Sequence, residues 1–118
     1  MPNYRVAVIG HTGRGNYGHG LDVVWLQIPN AQIVAVADPD DNGRAAAQKR
    51  LNAKNAYADY RTMLQKERPQ IVSVAARHLD QHRDMVLACA EAGASIFLEK
   101  PICRTLQEAD EMVAACEK

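Results

Sequence analysis

The chain has 118 residues, of which 47% are apolar and 24% charged, and its 14 basic and 14 acidic residues cancel. This balance is typical of one globular domain, and it provides no bulk charge that would favour nucleic acid or an anionic membrane surface. The first residues lack the layout of a secretory signal, and no apolar run in the sequence approaches the ~20 residues of a membrane span.

Apolar runs and helix-favouring segments alternate along the whole chain. Strands are predicted at residues 6–9, 33–37, 56–57, 71–75 and 96–98. Five helices are predicted: one that begins in the second half of the segment 10–20 and ends at 28, three at 42–52, 60–66 and 80–92, and one that begins after 105 and runs to the end. Asp59 and Thr105 are predicted N-caps, with Glu108 completing a capping box. Right-handed crossovers then give an α/β fold, a Rossmann-type doubly wound parallel sheet of order 3-2-1-4-5, in one domain over residues 1–118.

A glycine-rich loop follows the first predicted strand. In the frame Gly10-x-Thr12-x-x-Gly15, which includes Gly13 and Arg14, threonine replaces the middle glycine of a dinucleotide-binding turn. Glycine allows the tight turn and lets backbone amides approach a diphosphate at the start of a helix. A literal G-x-G-x-x-G lies three residues later, but the turn should begin where the strand ends. The loop is therefore predicted to bind the diphosphate of a dinucleotide; the alternative is a flexible loop.

Asp38 directly follows the second predicted strand. Dinucleotide-binding folds place the acid that binds the adenosine ribose roughly 20 residues after the glycine loop, and Asp38 lies close to that spacing. A carboxylate here would accept both hydroxyls of the ribose and repel a 2′-phosphate. NAD is therefore favoured over NADP, which stays possible because Arg44 lies nearby. The alternative is that Asp38 only forms a turn with Pro39 and Asp40.

The tripeptide Glu99-Lys100-Pro101 follows the fifth predicted strand. Together with the glycine loop and Asp38, it makes the chain resemble the Gfo/Idh/MocA oxidoreductases. The resemblance implies an NAD(P)-binding domain of an enzyme that transfers a hydride to or from a sugar, cyclitol or related alcohol. It assigns Lys100 to catalysis at the nicotinamide, Glu99 to the nicotinamide ribose, and Pro101 to the turn that aims the lysine, a bond often cis in the family.

Two departures from the family pattern affect the site. The loop after the fourth strand lacks the family's threonine–proline pair and begins with Arg77, which we expect to contact phosphate or substrate. The resemblance also covers only the amino-terminal half of a family member. The carboxy-terminal domain, which supplies the substrate pocket, is expected to be absent, so a polyol or sugar is a partner only if that domain is supplied.

Other function classes stay open on the sequence alone. A truncated or degenerate family member could be a non-catalytic module that binds a nucleotide or a partner. A methyltransferase can share the glycine loop and the acid, but Glu99-Lys100-Pro101 argues against it. Without a sixth strand, the fifth becomes a sheet edge, and this predicts a homo-oligomer.

Histidines and cysteines give weaker signals. His78 and His82 are four residues apart, without a third ligand, so no metal site is predicted and His82 is interpreted as a surface residue at a helix start. His11 and His19 are interpreted as solvated loop residues. Three widely spaced cysteines, without a Cys-x-x-Cys pair, are interpreted as reduced, mostly buried thiols of a cytoplasmic protein.

Overall fold

The computed structural model, which describes residues 4–77, 79–100 and 102–117, contains five parallel strands and four α-helices within these ranges. The strands are β1 Tyr4–Ile9, β2 Ala31–Ala37, β3 Asn55–Tyr57, β4 Ile71–Val74 and β5 Ser95–Leu98. The α-helices are α1 Asp41–Leu51, α2 Tyr60–Glu67, α3 His82–Glu91 and α4 Leu106–Cys116, and two 3₁₀ helices span Val23–Gln27 and Leu79–Gln81. The sheet order β3-β2-β1-β4-β5 confirms the predicted doubly wound Rossmann topology.

Two apolar layers cover the two faces of the sheet. Ile9 belongs to the layer that contains Met63 of α2 and Met85 of α3, whereas Val8 belongs to the layer that contains Leu51 of α1. Neighbouring residues of a strand face opposite sides of a sheet, so the uninterrupted apolar run of β1 supplies both layers. The central strand is thereby fixed in position, and its carboxyl end leads directly into the glycine loop.

The predicted caps of two helices are confirmed. The Asp59 side chain accepts a hydrogen bond from the Arg61 amide (2.9 Å), and the Thr105 hydroxyl accepts one from the Glu108 amide (3.1 Å). The Glu108 carboxylate differs from a regular capping box, because it accepts from the Arg104 amide, one residue before the cap. It also pairs with the Arg104 guanidinium (2.6 Å), so this arginine draws the carboxylate away from the cap amide.

The helix predicted after the glycine loop is wrong. The segment from 12 to 22 consists of turns and leads only to the short 3₁₀ helix Val23–Gln27. Gly18 and Gly20 have φ angles of +66° and +85°, which no right-handed helix contains, so no helix can begin before residue 21. Pro29 follows soon after. Between these two limits too few residues remain for a stable α-helix, although their apolar spacing is helical.

The expectations for cysteines and histidines are partly wrong. Cys89 is buried, and this burial raises the pKa of its thiol to about 12, but Cys103 is only partly buried and Cys116 is exposed. His82 is completely buried, with Nε2 lying 2.6 Å from the Ala76 carbonyl oxygen, so it is not a surface residue. His78 lies outside the described residues.

Neither a membrane span nor a metal centre is found in the part of the chain that the structure describes. There, no helix is long and apolar enough to cross a membrane. No group of three or more His, Cys, Asp or Glu side chains in the same ranges is arranged to hold a metal ion.

Candidate dinucleotide site

The candidate site lies at the carboxyl edge of the sheet. Because all strands are parallel, Gly10, Asp38 and Glu99 follow their strands at this one edge. Each is held by a backbone hydrogen bond to the neighbouring strand or its end: Gly10 N to Ala37 O (3.0 Å), Asp38 N to Tyr57 O (2.9 Å) and Glu99 N to Val74 O (2.9 Å). A cleft of about 290 Å³ opens here, bordered by the ends of β1 and β2 and the first turns of α2 and α3.

The first part of the glycine loop closes on itself. The amide of His11 donates to the Asn16 carbonyl (3.1 Å), and the amides of Asn16 and Arg14 donate to the His11 carbonyl (3.0 and 2.9 Å). The Gly13 amide donates to Asn16 Oδ1 (3.1 Å). In this conformation these amides are therefore bonded within the loop, and the helix start expected to assist them is not formed.

Asp38 is the most heavily bonded side chain of the site. Its carboxylate accepts from the Thr12 hydroxyl (2.6 Å), the Tyr17 hydroxyl (2.8 Å), the Asp40 amide (2.9 Å) and the Thr12 amide, which lies 3.2 Å from both oxygens. Asp38 has no exposed surface. Burial by itself would raise the pKa of its carboxyl, but these hydrogen bonds outweigh burial and lower the pKa. The group is therefore ionised at neutral pH.

Two glycines make room for the side chains that bind Asp38. A Cβ at Gly10 would lie 2.1 Å from the ring of Tyr17, and a Cβ at Gly43 would lie 1.8 Å from the Thr12 hydroxyl oxygen. The Arg50 guanidinium covers the Tyr17 ring at 4.9 Å from its centroid. Tyr17 is thus a site residue that sequence reasoning missed, since an aromatic residue in a glycine-rich loop carries no signal of the carboxylate that it contacts.

Glu99 fixes the far end of the glycine loop. Its buried carboxylate accepts from the amide of His19 (2.6 Å) and from the amide of Lys100 (2.9 Å), and His19 Nδ1 lies 3.1 Å from the same group. Burial alone would raise the pKa of Glu99, but the hydrogen bonds from His19 and Lys100 lower it. His19 therefore has a specific partner, although its side chain is 61% exposed.

Lys100 lies beside this carboxylate at the same edge. Its side chain is exposed, and among the described residues its ammonium makes no ion pair. Pro101, predicted to aim the lysine, lies outside the described residues. Within the described ranges, the site thus presents a cation that is not paired with another side chain.

The two arginines of the prediction lie at the crossing of two loops. The Arg77 amide donates to the Gly15 carbonyl (3.3 Å), and its side chain is exposed. Arg14 forms an ion pair with Asp80, in the 3₁₀ helix before α3. The loop after β4 is therefore attached to the glycine loop at two points.

Substituting Gly18 tests how closely the loop approaches Glu99. A Cβ at Gly18 would lie 2.1 Å from Glu99 Oε2 and 2.5 Å from the Ala75 carbonyl oxygen, whereas a Cβ at Gly20 would meet nothing within 4 Å. Both residues have positive φ, so Gly20→Ala is expected to lower the free energy of unfolding by about 1 kcal/mol through backbone strain alone. Gly18→Ala should lower it clearly further in urea titrations. Equal losses in the two variants would contradict the close approach.

Acid sensitivity tests the two buried carboxylates. The folded-state pKa values of Asp38 and Glu99 are lower than their ordinary values, so the two ionised carboxylates stabilise the folded protein. This contribution to the free energy of unfolding is complete above the unfolded pKa values of about 4, and it is lost as the pH falls through the folded-state values. Glu99→Gln should flatten the fall in melting temperature below about pH 4. Glu91→Gln, at an exposed site, should leave that fall as steep as in the wild type. Parallel curves for Glu99→Gln and wild type would rule out this role of Glu99.

Comparison with known proteins identifies the family. The model of the oxidoreductase family with an NAD-binding Rossmann fold, Gfo/Idh/MocA, matches residues 4–118. D-apiose dehydrogenase of Paraburkholderia graminis is 36% identical over 94 residues, which cover 80% of this chain and 25% of that protein. The 2,7-anhydro-N-acetylneuraminate hydratase of Mediterraneibacter gnavus is 35% identical over 106 residues, or 90% of this chain and 27% of that protein.

A solved structure agrees with these relatives. Levoglucosan dehydrogenase in complex with NADH and L-sorbose matches with a TM-score of 0.81 and 26% identity, over 100% of this chain and 33% of that chain. The present chain spans between a quarter and a third of the length of these three proteins. It belongs to the Gfo/Idh/MocA oxidoreductase family, whose NAD-binding Rossmann fold it forms.

Proposed function

We propose that this chain binds NAD and provides the cofactor half of an enzyme that transfers a hydride to or from a carbinol carbon of a sugar, cyclitol or related alcohol. The observation that carries the proposal is the position of Gly10, Asp38 and Glu99-Lys100 at one edge of the sheet, where Gly10 and Asp38 also line a cleft. A dinucleotide is long enough to extend along this edge. The family match and the NADH complex of a relative support the same cofactor.

Each group of the chain has a chemical role in this proposal. The backbone of the loop residues Gly10, Thr12, Gly13, Arg14 and Gly15 binds the diphosphate, with Arg77 adding positive charge from the neighbouring loop. Asp38 holds the adenosine ribose, since an ionised carboxylate is a strong acceptor for two hydroxyls. Glu99 holds the nicotinamide ribose.

Lys100 is the proposed catalytic residue. When bound, NAD supplies the hydride acceptor or donor. The Lys100 side chain has no competing ion pair among the described residues, so it is available to the substrate oxygen. When the alcohol is oxidised, the Lys100 amine accepts the proton of the substrate hydroxyl. When the carbonyl is reduced, the Lys100 ammonium stabilises the developing alkoxide oxygen and returns that proton to it.

Arg44 supports NAD over NADP. Its guanidinium donates to the Asp38 carbonyl oxygen (3.0 Å) and pairs with Asp41 (2.6 Å), so it is already bonded on two sides. It is therefore a weak candidate for binding a 2′-phosphate. The Asp38 carboxylate, ionised at neutral pH, repels that phosphate.

Titration with NAD⁺ and NADP⁺ tests the proposal. NAD⁺ is expected to bind more tightly by on the order of tenfold or more, because NADP⁺ brings a phosphate close to a buried carboxylate. Asp38→Asn should narrow this ratio, and Arg44→Ala should leave it unchanged; circular dichroism checks that both variants fold. Failure of the wild type to bind either dinucleotide would refute the proposed function.

A non-catalytic module that binds a nucleotide or a protein partner is the second candidate. It is favoured by the closed glycine loop, in which the amides of Arg14 and Asn16 already donate to the His11 carbonyl oxygen. The proposed enzyme needs a substrate pocket from outside the described residues, and orientation of the substrate supplies much of an enzyme's rate. NADH formation with a panel of sugars and polyols separates the candidates: a module binds NAD⁺ but reduces none.

The proposal also includes two properties of the whole protein. It associates with a second copy through β5, and it is located in the reducing cytoplasm. Within the described residues β5 pairs only with β4, and Phe97 on this strand is 45% exposed. An exposed apolar edge strand favours pairing with another chain. All three cysteines are free thiols, which supports a reducing compartment.

Light scattering tests the predicted homo-oligomer. The wild type should have the mass of a dimer or larger assembly at high concentration, and Phe97→Glu should shift it toward monomer by placing a charge at the edge. Leu106→Glu is the matched control, because Leu106 is 86% exposed but lies at the start of α4. A wild type that stays monomeric at high concentration would contradict the prediction.

A further inference from the structure

The carboxylate of Asp38 has no acceptor position left for a ligand in this structure. An ionised carboxylate offers about four lone-pair positions. Four donors of the chain surround this one: two backbone amides, of Thr12 and Asp40, and two hydroxyls, of Thr12 and Tyr17. A ribose diol can therefore bind only if donors of the protein leave.

We propose that the hydroxyls of Thr12 and Tyr17 are internal competitors for the ribose position on Asp38 and are displaced when a dinucleotide binds. This inference rests on the proposed function. It adds that the affinity of the site for its nucleotide is set by these two side chains as well as by the groups that contact the nucleotide.

The hydroxyls are the donors that can leave. The amide of Asp40 belongs to the tight turn between β2 and α1, two residues beyond the carboxylate, so its position is fixed by the backbone. The two hydroxyls are at the ends of side chains and move away by rotation. A ribose diol brings two hydroxyl donors, so the exchange replaces two protein hydroxyls by two ligand hydroxyls and leaves the number of hydrogen bonds to Asp38 unchanged.

The Tyr17 ring also covers the turn that should face the diphosphate. It lies so close to Gly10 that a Cβ there would be 2.1 Å from a ring carbon. The ring is held by Arg50, which is itself paired with the buried Asp22 (3.0 Å). One movement of Tyr17 would therefore uncover the carboxylate and the first glycine together.

The closed arrangement lowers the apparent affinity for nucleotide. A ligand that binds only the open loop must offset the free energy of opening it, so weakening the closed form tightens binding. Removing the Tyr17 hydroxyl should accordingly have two opposite effects. It should destabilise the protein without added nucleotide, because a partly buried hydrogen bond to a charge is lost, and it should strengthen nucleotide binding.

Calorimetric titration with NAD⁺ and with ADP-ribose tests this. Tyr17→Phe and Thr12→Val each remove one hydroxyl with little change of shape, and each should tighten binding about three- to tenfold while lowering the melting temperature. Tyr57→Phe is the matched control. Its hydroxyl donates to Glu67 (2.5 Å), which pairs with Arg5 near the start of β1, so this variant should lose stability without a change in affinity.

The outcomes separate the two proposals. If the wild type binds NAD⁺ but Tyr17→Phe binds it equally or less tightly, internal competition is overturned and the proposed function stands. If none of the four proteins binds NAD⁺ or ADP-ribose, the proposed function fails and this inference fails with it. A second measurement does not depend on variants: the nuclear Overhauser contact between the Tyr17 ring and Gly10 should disappear on saturation with ADP-ribose, and its persistence would refute the displacement.

Discussion

A buried negative charge at the tip of β2 is the constraint on which the site depends. A carboxylate removed from water is strongly destabilising unless donors surround it. Asp38 is completely buried, so the loop must bring donors to it, and Thr12 and Tyr17 supply them. The need to bring donors to Asp38 therefore determines the closed conformation of the glycine loop. The glycines only make that conformation sterically possible, because they have no Cβ in the way.

A second buried carboxylate acts in the same way at the other end of the loop. Glu99 extends from β5 and binds the backbone and ring of His19. The loop is therefore held between acids from β2 and β5, and it crosses the ends of the central strands.

The sequence predicts the sheet well because its strands are uninterrupted apolar runs, and topology alone then brings Gly10, Asp38 and Lys100 to one edge. It fails where local and long-range preferences disagree. The apolar spacing through Ile28 is helical, yet the backbone angles of Gly18 leave no room for a helix to begin. The contact of Tyr17 with Asp38 is not encoded in any local pattern, because it depends on how the whole loop folds over the sheet.

The glycines of the site can leave space for a ligand phosphate or for a side chain of the protein, and the two roles are compatible. A glycine pattern after a first strand is taken to admit a phosphate, but here the space above Gly10 holds a tyrosine ring, and the space at Gly43 holds the Thr12 hydroxyl. A position without a Cβ is equally open to a ligand and to a side chain of the protein. If the same space serves both, Gly10 is needed in the closed loop and in the nucleotide complex alike, and replacing it would impair stability and binding together. The residues that distinguish the two states are then the side chains that move, Thr12 and Tyr17, rather than the glycines that define the motif.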